Sequence, residues 1–444
     1  MSMTASLAKQ GLAGKWQPLL VGDQRQRALE AIERIAESLP VAMTAKAIWN
    51  TDHPSTLQLS LLTSWKAEVA LFYAYSAKAL NNDQYAEQAL CYLNEAIDEA
   101  PEHLDSLWLF GGFTGIGWII ANLSETLFDQ DETENCGSVD ELLTEHLAQP
   151  EPQSNYDLVV GLVGQGVYAL DRQKHATAVA SDLLTRIVNK LWETAEHDGP
   201  FITWHTSPVL LPEWQRQICP NGYYNLGLAH GVPGIIALLG RIVSAGIEPE
   251  RSRHLLEGAV RWLLAQKGTA ESESYFSTWA GRGIEREASK VAWCYGDLGI
   301  GMALLYAAKC VGQANWEQEA TEILLKAATR SGESAGVFDV SLCHGAAGNA
   351  HIFNRAFQAT GEARFRTAAL AWYEQALAFQ RPGQGIGGFS IGDTDEAGTE
   401  VFWTNKPGLL DGVAGVGLSL LAACTDWEPN WDRSLLISIP PKSR

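Results

Sequence analysis

Leu342-Cys343-His344-Gly345-Ala346-Ala347-Gly348 contains a Gly-x-x-Gly pair of a kind that leads into an apolar run at six places in this chain of 444 residues. The copies are Gly112/Gly115, Gly161/Gly164, Gly231/Gly234, Gly296/Gly299, Gly345/Gly348 and Gly412/Gly415, at spacings of 49, 70, 65, 49 and 67 residues. An irregular internal repeat of this kind sets the architecture before any single element does. An apolar stretch follows each pair, such as Ile235-Ile236-Ala237-Leu238-Leu239 or Val416-Gly417-Leu418-Ser419-Leu420-Leu421. Helices that are apolar nearly all round belong to a buried inner layer. Between the pairs lie segments that are apolar on one side only. Leu29, Ile32, Ala36 and Leu39 form one such stripe, Leu256, Val260 and Leu263 another, and Leu370, Tyr373 and Leu377 a third. These suit an outer layer with one wet face. An earlier pair of helices without the glycine motif is expected at 24–40 and 57–80.

The expected fold is all-α: an α/α toroid, a closed double ring of about seven inner and seven outer helices around a central site. A glycine at the start of an inner helix lets backbones crowd together, because no Cβ intrudes. It also leaves backbone N–H groups open towards the centre. A simple helical solenoid packs small residues in the same way, but the unequal spacings and the clustered Cys and His speak against it. A single domain is expected at 24–444, after an N-terminal extension at 1–23. Irregular stretches are expected at 129–157, 198–227, 268–292 and 381–408, none of which reads as an interdomain linker.

The net charge of −20 disfavours a nucleic-acid partner, since phosphate binding needs a basic surface. Met1 to Leu20 lacks the apolar core of a signal peptide. No segment approaches the ~18 apolar residues of a membrane span, so the expected location is cytoplasmic. Seven cysteines without close pairing fit reduced thiols better than a disulfide frame. Cys91, Cys136, Cys219, Cys310 and Cys424 lack a repeat-equivalent polar neighbour and read as packing or surface residues.

The remaining two cysteines stand at matched places. Cys294 in Trp293-Cys294-Tyr295-Gly296 and Cys343 in Cys343-His344-Gly345 both lie two residues before a first glycine. His230, Tyr295, His344 and Asp411 lie one residue before it. A symmetric ring would bring such positions together. Three protein ligands of sulfur and imidazole type with an open fourth place make a catalytic zinc site, and Cys294, Cys343 and His344 provide that set. Taken singly, each reads as a small buried residue or a satisfied core histidine; together, each beside a repeat glycine, they read as ligands. His230 is either a fourth ligand, which closes the site, or a free acid/base beside the metal. Asp157, four residues before Gly161, either approaches the same centre or caps a helix.

These motifs resemble the lanthionine synthetase C-like cyclases, and Pro407-Gly408-Leu409-Leu410-Asp411-Gly412-Val413-Ala414-Gly415 extends the resemblance to nearly the whole chain. The resemblance implies a double α-toroid with one zinc ion per chain, held by Cys294, Cys343 and His344. It implies an enzyme, a lanthionine synthetase acting in lanthipeptide biosynthesis. Precursor cysteine thiols add to dehydroalanine or dehydrobutyrine and close thioether rings. The implied partners are a dehydrated precursor peptide and the dehydratase that prepares it. His230 is the implied active-site histidine, Asp157 matches the aspartate of a Tyr-Asp segment, and Tyr295 follows the first zinc cysteine. Lys290 departs from the pattern, standing where such cyclases often have arginine; a lysine keeps the charge but not the planar fork. The chemistry fits these residues. Zinc coordination deprotonates a thiol that is mostly neutral at pH 7, and His230 is placed to protonate the resulting enolate. Two other readings remain: a glutathione-binding or regulatory relative, and another α/α-barrel enzyme such as a glycosidase or zinc prenyltransferase. A glycosidase needs two facing carboxylates, and the position before the first glycine holds only Asp411.

Overall fold

The computed structural model describes residues 14–125, 136–149, 155–394 and 400–443. Residues 1–13 of the expected N-terminal extension lie outside the described residues. Among the described residues seven long helices form an inner ring: Thr56–Leu80, Phe113–Ser124, Leu162–Arg172, Val232–Ala245, Asp297–Val311, Ala346–Thr360 and Val413–Cys424. Each packs against the next, and Val413–Cys424 packs back on Thr56–Leu80, so the ring closes. The outer ring is Gly22–Ala42, Asp83–His103, Gly137–Ala148, Thr177–Thr194, Pro249–Ala265, Ala314–Ala328 and Ala363–Ala378. The chain is the expected α/α toroid.

The glycine pairs act as the sequence suggests. The first glycine of each pair is the residue that precedes an inner helix. The second lies under a loop carbonyl from six residues earlier, so close that a Cβ would strike it; in the fifth unit Gly348 lies under Leu342 O. Gly296 differs from the other first glycines in its φ of +90°, which an L side chain rarely adopts. The chain therefore turns sharply just after Cys294-Tyr295.

Two expectations need correction. The helices expected at 24–40 and 57–80 both exist and are joined by the Tyr73 hydroxyl, which donates to Ala36 O at 2.5 Å, but each packs more closely on another helix. Thr56–Leu80 packs on the following Asp83–His103, whereas Gly22–Ala42 packs on Val413–Cys424 at the far end of the chain. The ring is thus closed by first and last elements, which no local pattern encodes. The stretch 129–157, expected to be irregular, contains the outer helix Gly137–Ala148. Val139, Leu143 and Leu147 recur every four residues and are buried. Burial of a side chain of this kind is worth about 1.5–3 kcal/mol, enough to hold a short acidic helix in place. Asp140 adds an anchor, paired with Arg172 at 2.6 Å and accepting from the Tyr168 hydroxyl at 2.6 Å.

The remaining expected loops carry short antiparallel pairs. Glu196–Asp198 pairs with Phe201–Thr203, Tyr224–Asn225 with Trp279–Ala280, and Ile391–Thr394 with Val401–Thr404. No described helix is long and apolar enough to cross a membrane. The C-terminal segment folds into the barrel: Asn430–Leu435 packs between the inner helices Phe113–Ser124 and Leu162–Arg172. There Arg355 holds Asp432 at 2.8 Å and Glu428 at 2.6 Å, and His351 holds Asp432 at 2.9 Å. One end of the barrel is closed by this plug.

Candidate active site

The other end is open, and the six loops before the inner helices surround it. Their backbones follow one plan. In three of them a side chain six residues before the first glycine accepts from the N–H two residues on: Asn155 from Asp157, Asn225 from Gly227, and Asp339 from Ser341. This Asx-turn fixes each loop's direction. It recurs at a repeat position, a signal that the sequence reading did not use.

Cys294, Cys343 and His344 come together at this mouth. Their ligand atoms all lie within 4.8 Å of one another. Cys294 is buried; Cys343 and His344 are partly exposed towards the opening. The Cys343 thiol bonds to Cys294, and a protonated His344 bonds to and lies beside the same sulfur. These groups pull the Cys294 thiol well below its ordinary range despite burial. The shared proton pushes Cys343 in the opposite direction. Burial opposes charge on His344. Its bond to Cys294 and the nearby Asp411 and Asp339 outweigh that and push it up to about 9. Asp339 and Asp411 flank the ring at 3.9 and 3.7 Å. Asp339 is fully buried, and the sequence reading did not single it out.

His230 comes from the third loop and Asp157 from the second. The His230 Nδ1 lies 2.5 Å from Asp157 Oδ2. The other carboxylate oxygen of Asp157 accepts from Val159 N at 2.5 Å and Val160 N at 2.9 Å. Asp157 therefore caps no helix, since the following helix begins at Leu162 with Gly161 before it; one oxygen ties its own loop and the other holds the histidine. Burial opposes protonation of His230, but the charge and hydrogen bond of Asp157 prevail, and the imidazole is raised above its ordinary value. The ring is half-open to the mouth, with 38% of its side chain exposed.

Tyr295 lies beside His230, ring centroids 5.8 Å apart, and its hydroxyl accepts from Asn225 Nδ2 at 3.3 Å. Burial raises its hydroxyl far above the ordinary value, so it remains a proton-bearing donor at neutral pH. Lys290 is half-buried, and its charge favours the thiolate form of both cysteines. Among the described residues it makes no salt bridge. Trp293, fully buried, underlies the site. Its Nε1 donates to Leu435 O of the plug at 3.1 Å, and the Phe110 ring meets it edge-on at 6.3 Å. One wall stands higher than the rest. The helix Thr56–Leu80 reaches Glu68 only at its thirteenth residue, so its first part extends roughly 18 Å beyond the loops at 1.5 Å per residue. Trp65 on that helix stacks on Trp49 at 5.5 Å.

Comparison with known proteins adds the following. The family described as lanthionine synthetase C-like protein matches residues 67–436. The nisin biosynthesis protein NisC of Lactococcus lactis subsp. lactis is 28% identical over 208 residues, which are 44% of this chain and 47% of that protein. The chain thus spans about half the length of the relative it matches. The solved structure of a nisin cyclase superposes with a TM-score of 0.67 at 19% identity, covering 84% of this chain and 90% of that one. At that identity the likeness shows the fold.

Proposed function

The chain belongs to the lanthionine synthetase C-like family, and on that premise we propose that it is a zinc-dependent peptide cyclase. Its reaction is addition of a precursor cysteine thiol to a dehydroalanine or dehydrobutyrine, which closes a thioether ring in a lanthipeptide. The observation that carries the reading is the cluster of Cys294, Cys343 and His344 at the open mouth, beside a His230–Asp157 pair.

The donor set fits zinc. Two sulfurs and one imidazole are the ligand types that zinc takes in three-ligand catalytic sites. The set favours ionisation of the Cys294 sulfur and shares protons among its members, and a divalent cation replaces such protons on binding. When bound, zinc supplies the positive charge that makes a substrate thiol ionise near neutral pH.

The chain's own residues account for the remainder. The substrate sulfur forms a bond to the β carbon of the dehydro residue, and the alkene electron pair moves to the α carbon as an enolate. His230, whose protonated form Asp157 favours, gives its proton to that carbon. The proton released from the thiol restores the imidazolium, so the product has the mass of the reactant. Tyr295 donates a hydrogen bond at the same face, and the Lys290 ammonium steadies developing negative charge as a point charge. The Trp293 floor excludes water from below.

The test is mass spectrometry after thiol alkylation of a dehydrated, cysteine-containing precursor incubated with the zinc-loaded protein. Ring closure leaves the mass unchanged and removes alkylatable thiols. Thiols that stay fully alkylatable contradict the proposal.

A further inference from the structure

The loops of the mouth are joined by a belt of backbone hydrogen bonds. In every link the acceptor is the carbonyl of the second residue before a first glycine. Val159 O accepts from Leu109 N at 3.1 Å, Ala229 O from Leu158 N at 3.0 Å, and Cys294 O from Ala229 N at 3.4 Å. Cys343 O accepts from Trp293 N at 3.1 Å and Cys294 N at 3.3 Å, and Leu410 O accepts from Leu342 N at 3.1 Å and Cys343 N at 2.9 Å. The belt therefore runs through the backbone of both clustered cysteines. It next needs an acceptor for Leu409 N, and the seventh inner helix, Thr56–Leu80, has no glycine loop to offer one.

Glu68 fills that place. Its Oε2 accepts from Leu409 N at 2.6 Å. Glu68 is only 7% exposed, in mid-helix. Gly408 lies so close that a Cβ there would strike both the Trp65 ring and the Glu68 carboxylate. Burying a carboxyl is costly unless it makes a specific bond, and here burial pushes it up to about 7. The N–H it satisfies belongs to the loop whose next carbonyl holds Cys343.

We infer that Glu68 is a positioning residue for the metal centre: its carboxylate replaces the missing seventh loop carbonyl, ends the belt, and through Leu409 and Leu410 fixes the backbone of Cys343. The inference rests on the reading of Cys294, Cys343 and His344 as metal ligands. Its test is zinc affinity, measured by competition with a chromophoric chelator, run beside thermal melts. Glu68→Leu removes the acceptor and should weaken zinc binding about 10-fold, the lower end of what outer-shell changes cost. Glu68→Gln keeps an acceptor oxygen and should bind zinc as the wild type does. Gly408→Ala, which forces the loop from Glu68, should match Glu68→Leu and replaces it if that variant does not fold. Wild-type affinity in Glu68→Leu or Gly408→Ala overturns the inference, even with a lowered melting temperature, because Glu68 would then be only structural. Equal weakening in Glu68→Gln and Glu68→Leu also overturns it, since charge rather than the hydrogen bond would then matter. A wild-type protein that binds no zinc is a separate result, which defeats the ligand reading itself.

Discussion

Each end of the barrel has a histidine bound to an aspartate, and the two pairs behave in opposite ways. At the mouth, His230 and Asp157 lie 2.5 Å apart with the ring 38% exposed, and the histidine is raised above its ordinary value. At the closed end, His351 and Asp432 lie 2.9 Å apart with neither side chain exposed, and the histidine is lowered. Burial opposes the charged ring in both places. The difference lies in what else the aspartate serves. Asp157 spends its second oxygen on two neutral N–H groups. Asp432 is shared with the Arg355 guanidinium, whose charge also opposes protonation of His351. A histidine–carboxylate pair thus favours the protonated ring where the carboxylate's other partners are neutral and water is near, and the neutral ring where an arginine competes in a dry core.

The largest expected effect lies at the closed end. Asp432→Ala leaves Arg355 and His351 buried without their carboxylate, and breaking such a pair costs about 3–5 kcal/mol. Chemical denaturation should register a loss of that size. A change below about 1 kcal/mol would mean that the plug does not carry the closed end.

At the mouth the sign should reverse, with activity affected more than stability. His230→Ala should melt near the wild type while ring closure slows by about 10²–10⁴-fold. A rate equal to wild type would leave the histidine without a role in proton transfer.

Asp157→Asn sharpens the comparison through pH. With the raised imidazole, proton donation is full at lower pH and is lost as pH rises through the raised value. Removing the carboxylate charge leaves burial dominant, so the falling limb of the rate profile should move to lower pH. Stability should fall by at most about 1 kcal/mol, the worth of a loop cap. An unmoved limb would show that Asp157 does not set the state of His230. Lys290→Ala should give the smallest effect, a rate loss milder than that of Asp157→Asn with the melt unchanged. A loss larger than that of Asp157→Asn would reverse their assigned weights.

Much of the mouth was legible because its residues hang on a repeat. The glycine pairs give the start of six inner helices, and Cys294, Cys343, His344 and His230 stand at fixed offsets from them. The rest depends on contacts between residues far apart in the chain. Glu68 and Leu409 are 341 residues apart. Asp432 lies 77 residues from Arg355 and carries no periodic mark. The helix Gly137–Ala148 was legible in its four-residue stripe but is masked by acidic composition. The partnering of Gly22–Ala42 with Val413–Cys424 is a property of ring closure alone.

The most direct test of the proposed division between the two ends is metal content. Purified wild type, Cys294→Ala, Cys343→Ala and His230→Ala should be compared by elemental analysis. The account predicts about one zinc per chain in wild type and in His230→Ala, and loss of most of it in both cysteine variants. Full zinc retention in the cysteine variants, or zinc loss in His230→Ala, would contradict it.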